Sequence, residues 1–150
     1  MFDYKPFTRE SCDLCDGMSF FLKGKLSFLN INMTVLLIRS RQANYLSLLD
    51  AQAKVWITFG GDKILARLRT RRKPQSCSPI FNEALTATVE PNQMKNISIN
   101  ISLTNEHKQA LKKELGQVIL CGQSSAEEFR HWNDILASPG KQIAEWHELR

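Results

Sequence analysis

No hydrophobic run in the 150-residue chain approaches the length of a membrane span. The longest apolar stretches, Met33 to Ile38 and Ser19 to Leu22, fall far below the roughly 20 residues a spanning helix needs. The start, Met1-Phe2-Asp3-Tyr4-Lys5-Pro6, has an early acid and lacks the basic region and apolar core of a secretory signal, so a cytoplasmic chain is expected. Seven Gly and five Pro are too few for a low-complexity linker, and a hydrophobic fraction of 43% suffices for one packed core. Cysteine is sparse. Of Cys12, Cys15, Cys77 and Cys121 only the first two are close enough for a metal motif, and no second Cys or His pair with finger spacing follows. All four read as reduced thiols, and no metal or other cofactor is expected. Three glycosylation sequons, beginning at Asn32, Asn96 and Asn100, carry no weight in a cytoplasmic chain. Catalytic patterns are missing too. His107, His131 and His147 come without a Gly-x-Ser-x-Gly elbow, a paired metal-ligand motif or a phosphate-binding glycine loop, so no catalytic residue is assigned and a non-enzyme is expected.

Against these absences stands a series of short runs rich in Val, Ile, Leu and Thr, separated by polar or Gly/Pro breaks, which is the pattern of an all-β antiparallel sandwich. Eight strands are predicted: Gly24 to Leu29, Met33 to Arg39, Ala53 to Phe59, Lys63 to Arg72, Ala84 to Glu90, Ile97 to Leu103, Gln117 to Cys121 and Gln142 to Leu149. In Ile97-Ser98-Ile99-Asn100-Ile101-Ser102-Leu103 every odd-numbered residue is apolar, so one face packs and the other is wet. Gly60-Gly61-Asp62 supplies the positive φ angles of a tight turn and predicts a hairpin that sets the basic fourth strand beside the strand of Trp56. A short helix before the last strand is signalled by a capping box at Ser125 and Glu128 and by Phe129, Trp132 and Leu136 at helical spacing. Pro139-Gly140 stops it near Ser138. Asn105 to Leu115 also reads as helix by propensity, with Gly116 as its stop. Residues 1–22 have no clean period and read as a partly disordered leader or linker, with the folded domain at 23–150.

The distinctive charge feature is the segment Lys63 to Lys73. It holds Lys63, Arg67, Arg69, Arg71, Arg72 and Lys73 and no acid, so against a net charge of +5 the rest of the chain sits near −1. On a strand, Arg67, Arg69 and Arg71 should share one face at about 7 Å spacing, with Ala66, Leu68 and Thr70 on the other. Such a row of guanidinium groups suits phosphate or carboxylate. A solvated strand that protects a sheet edge is the alternative. A purely protein–protein interaction module that uses the basic strand is the alternative function, and nucleic acid is a weaker fit, since no aromatic residue interleaves the row for base stacking.

From the third strand onward the residues follow a known order: Lys54-Val55-Trp56-Ile57, Gly60-Gly61-Asp62-Lys63, the basic strand, Ser78-Pro79-Ile80-Phe81-Asn82-Glu83, His131-Trp132-Asn133-Asp134-Ile135-Leu136, and Ala144-Glu145-Trp146-His147-Glu148-Leu149. This resembles the second, carboxy-terminal C2 domain of the synaptotagmins, over about residues 24 to 150. The resemblance implies an eight-stranded C2 β-sandwich and a role in vesicle trafficking and exocytosis. It implies binding to acidic phospholipid membranes and to SNARE or adaptor proteins through the basic strand, a peripheral location on vesicle or plasma membrane, and self-association as a further option. It also implies that the ending, Trp146, His147 and Leu149 with His131 and Trp132, is a docking or structural motif; burial of Trp146 is the structural expectation. Calcium-binding members place five acidic residues in two loops. Matched residue by residue, those positions hold Asn44, Asp50, Asn105, His107 and Lys113, so one carboxylate of five remains and a degenerate, calcium-independent site is implied.

Overall fold

Residues 19–27, 30–39, 50–73, 80–108, 114–124 and 126–149 are described by the computed structural model. They form strands β1 (Ser19–Leu26), β2 (Asn30–Arg39), β3 (Ala51–Phe59), β4 (Lys63–Arg69), β5 (Ile80–Thr88), β6 (Ile97–Asn105), β7 (Glu114–Leu120) and β8 (Ile143–Glu148), with helix α1 (Ala126–Ala137) before the last strand. Two four-stranded antiparallel sheets, ordered β5-β2-β1-β8 and β4-β3-β6-β7, make a sandwich.

Alternation builds the core. Phe20 and Leu22 of β1, Ile31, Met33 and Val35 of β2, Val55 and Ile57 of β3, and Ile97, Ile99, Ile101 and Leu103 of β6 are all buried between the sheets. The intervening positions face outward, as the period of two requires. Gly60 and Gly61 take positive φ, 66° and 92°, and close the β3–β4 hairpin that the sequence predicts.

Three expectations are corrected. The first strand begins at Ser19 rather than Gly24, so residues 19–22, assigned above to the leader, are sheet residues. The run Phe20-Phe21-Leu22 hides its alternation behind three consecutive apolar residues, yet Phe20 and Leu22 are buried and Phe21 lies on the other face. Gly24 has a different task from strand initiation. A Cβ there would meet the Ile135 side chain and lie 3.2 Å from Met33 Sδ, so glycine lets α1 press against β1.

The helical reading of Asn105 to Leu115 fails at both ends. Asn105 closes β6, and Glu114 and Leu115 open β7, with Thr104 opposite Glu114. Gly116 lies within β7 at an extended φ of 158°. Cross-strand pairing overrides local propensity here; residues 109–113 lie outside the described set.

Helix α1 is where the sequence places it, although Ser125 of its capping box is outside the described residues. Its buried stripe is Glu128, His131, Trp132 and Ile135, and Phe129 is exposed. The chain then turns at Gly140, φ 81°, whose N–H donates to Leu26 O at 2.7 Å.

Candidate functional site

The outer face of the β4-β3-β6-β7 sheet is built from register. Arg67 lies opposite Trp56, Trp56 opposite Asn100, and Asn100 opposite Ile119, which makes one row across four strands. The next row is Arg69, Lys54, Ser102 and Gln117. On the other side Ile64 faces Thr58, which faces Ser98. The polar middle of this surface satisfies itself. Asn100 Nδ2 donates to Gln117 Oε1 at 2.8 Å, and Ser102 Oγ donates to Asn100 Oδ1 at 3.1 Å. Lys54 Nζ forms an ion pair with Glu106 Oε1 at 2.9 Å. Arg67 and Arg69 remain exposed, and among the described residues neither makes an ion pair.

The predicted basic residues separate into two groups. Arg67 and Arg69 belong to β4, whereas Arg71, Arg72 and Lys73 follow it, so the strand ends before the third arginine of the expected row. The chain stays beside β3. Thr70 N–H donates to Ala53 O at 2.9 Å, and Lys73 bridges to Ala51. Arg71 N–H donates to Glu83 Oε2 at 2.9 Å, which sets a carboxylate beside this end of the patch. Lys63 stands at the start of β4, separated from Arg67 by a register irregularity opposite Ile57 and Thr58. Sequence reasoning paired β4 with the strand of Trp56 but left the indole out of the site. Trp56 is half-exposed, and Arg67 Cζ lies 5.9 Å from its ring centroid. The glycine hairpin was the signal, because it fixes the register that puts the two side by side.

The ending Trp146, His147 and Leu149 divides between two faces. His147 and Leu149 point inward and are buried, while Trp146 is 40% exposed, its ring 5.0 Å from that of Phe21. The expected burial of Trp146 is therefore corrected. Neighbours on a strand face opposite ways, and the inward place is taken by His147, which meets His131 of α1. The two imidazoles are 0% and 1% exposed, with His131 Nδ1 2.6 Å from His147 Nε2. His131 Nε2 donates to Ile143 O at 2.9 Å, which fixes its proton there and leaves Nδ1 to accept from His147. His147 Nδ1 then carries a lone pair with no hydrogen-bond partner among the described residues, and the Glu128 Oε2 acceptor and the Trp132 Nε1–H donor are likewise buried without one. Burial, and then the neighbouring His131, lower the His147 pKa to about 4, with Glu145 acting in the opposite sense. At the surface of this seam Arg130 pairs with Glu145 at 3.1 Å.

At one end of the sandwich Asn105 Oδ1 accepts from Asp50 N–H and from His107 N–H, both at 3.1 Å. Thr104 Oγ1 donates to Glu106 Oε1, the oxygen that Lys54 also engages. Asn105 is thus a backbone-tying residue. Asn44 and Lys113 lie outside the described residues. Among the described residues no three His, Cys, Asp or Glu side chains converge in a way that could hold a metal ion, and no helix is long and apolar enough to cross a membrane.

Comparison with solved structures ties this architecture to a fold. A C2 domain of RIM from Drosophila superposes with a TM-score of 0.65 at 16% identity, covering 89% of this chain and 98% of that domain. The first C2 domain of human synaptotagmin XIII superposes at 0.66 with 12% identity, over 90% of this chain and 88% of that one. In sequence, synaptotagmin-7 of Mus musculus is 29% identical over 101 residues, 67% of this chain and 25% of that protein. Synaptotagmin-1 of Aplysia californica is 32% identical over 90 residues, 60% of this chain and 21% of that protein. The chain carries a synaptotagmin-like C2 domain. The match to these curated relatives spans about a quarter of their length or less. No protein-family model matches the chain.

Proposed function

We propose that this C2 domain is a non-enzymatic module that docks on acidic phospholipid membranes without calcium, and that SNARE or adaptor proteins are its protein partners in vesicle trafficking. The observation that carries the reading is the pair Arg67 and Arg69, exposed side by side on β4 while the neighbouring Lys54 is neutralised by Glu106. Lys63 at the start of the strand and Arg71, Arg72 and Lys73 beyond its end extend the positive charge. Each basic residue held near an anionic leaflet contributes about 1 kcal/mol, so this set suffices for reversible, peripheral binding. The Trp146-His147-Glu148-Leu149 ending supports likeness to a second C2 domain in particular.

Calcium independence rests on chemistry. The ion needs six to eight oxygens and enough negative charge to offset its own. The positions matched to the acidic loops offer Asp50 and amide or basic side chains, and Asn105 Oδ1 is already committed to two backbone N–H groups. Co-sedimentation with phosphatidylserine vesicles in calcium and in chelator tests this. Equal binding is the expected result, and binding confined to calcium would contradict it. Docking of an adaptor protein has its own support in Trp146, which offers indole surface on the opposite sheet beside Phe21.

A further inference from the structure

The charged outer face has an apolar centre that charge attraction does not use. Trp56 is 49% exposed in the middle of a sheet, and Ile64 and Ile119 on the same face are 42% and 37% exposed. Asn100, Ser102 and Gln117 bond to one another and Lys54 to Glu106, whereas Arg67, Arg69 and these three apolar side chains face outward with their charge and apolar surface available. Trp56 is flanked by Arg67 on the adjacent strand. A guanidinium resting on an indole keeps its N–H fork free for phosphate.

We infer that Trp56, with Ile64 and Ile119, enters the interfacial layer of an acidic bilayer while Arg67 and Arg69 hold the headgroup phosphates. The inference rests on the reading of this face as a lipid-docking surface and adds a component that salt does not screen. Indoles favour the headgroup region because the ring is apolar and its N–H still finds a polar partner there. A row four strands wide spans about 14 Å at ordinary strand spacing, and such an open sheet face matches a planar surface. Single-stranded nucleic acid fits less well. Arg67 already lies over the indole, and the flanking isoleucines have no aromatic face on which a base could stack.

The test uses the whole chain and phosphatidylcholine vesicles with and without phosphatidylserine. Trp56→Thr removes the indole and keeps a residue suited to a strand, and Trp56→Tyr keeps an amphipathic ring. Trp56→Thr should weaken partitioning about tenfold, as expected for burial of part of an indole. Its salt dependence should match the parent, since no charge is lost, and Trp56→Tyr should restore most of the binding. In a Trp146→Phe background, where Trp132 is 1% exposed, the emission that responds to lipid belongs to Trp56 and should be quenched by brominated lipid. Vesicle binding that depends on Arg67 and Arg69, with Trp56→Thr binding like the parent and no quenching, would overturn the inference and leave the lipid reading intact. Failure of the parent to bind acidic vesicles, with binding to an oligonucleotide or an acidic peptide instead, would overturn both.

Discussion

The β4–β3 outer face and the α1–β8 seam use the same kinds of side chain to opposite ends. On the outer face Trp56 and Arg67 stand in solvent. In the seam Trp132, His131 and His147 are enclosed, and Glu128 Oε2, Trp132 Nε1 and His147 Nδ1 have no hydrogen-bond partner among the described residues. Exposed charges are screened over about 8 Å at physiological salt and contribute little to folding, so they are free to carry binding. Buried polar groups are costly wherever a partner is missing, so the seam ties its chemistry to stability. Binding and folding should therefore respond to different substitutions, and the largest folding effects should come from the seam.

Trp132→Ala heads the order. Trp132 is among the largest fully buried side chains, and its truncation should cost about 3 to 5 kcal/mol, read as a steep fall in chemical-denaturation midpoint. A comparable loss should follow from acid alone. His147 is held near 4, below its ordinary unfolded value of 6.5, so between those pH values the unfolded state binds a proton that the native state refuses. The seam's contribution is intact above about pH 6.5 and falls as pH drops toward about 4, by about 3 kcal/mol. His131 faces His147 across the bond, Arg130 and Glu145 flank it at the surface, and Glu128 lies on the buried side of α1. Carboxylates elsewhere also titrate at low pH, so the quantity to read is the difference in slope between the parent and His147→Gln, which should be flatter.

Gly24→Ala should cost about 1 to 3 kcal/mol, because the new methyl must displace Ile135 or Met33. A melting curve unchanged by this substitution would show that α1 does not press on β1 as described. Trp146→Ala should have a smaller effect, about 1 kcal/mol, since the ring is only partly covered. A loss as large as that of Trp132→Ala would show that Trp146 is a core residue after all. At the bottom of the stability order are Arg67→Gln and Arg69→Gln, each expected within about 0.5 kcal/mol of the parent.

Much of the sandwich was legible because period-two patterning is explicit in β3 and β6 and because Gly60-Gly61 marks its hairpin. What was hidden was phase. Phe20-Phe21-Leu22 does not say which residue faces inward. Phe129 and Glu128 are neighbours on α1, and the apolar one is exposed because it lies off the buried stripe of Glu128, His131, Trp132 and Ile135. In Trp146-His147 only one residue could enter the core, and hydrophobicity alone favours the wrong one. The candidate site was half legible. Composition exposed the arginines, whereas Trp56, Ile64 and Ile119 join them only through register across four strands.

The measurement that bears most directly on the account is co-sedimentation with phosphatidylserine vesicles, in chelator, of the parent and of a variant carrying Arg67→Gln, Arg69→Gln and Arg71→Gln. The parent should bind, binding should weaken toward about 1 M salt, and the variant should melt like the parent but partition up to about a hundredfold more weakly. A variant that folds normally and binds these vesicles as well as the parent would contradict it.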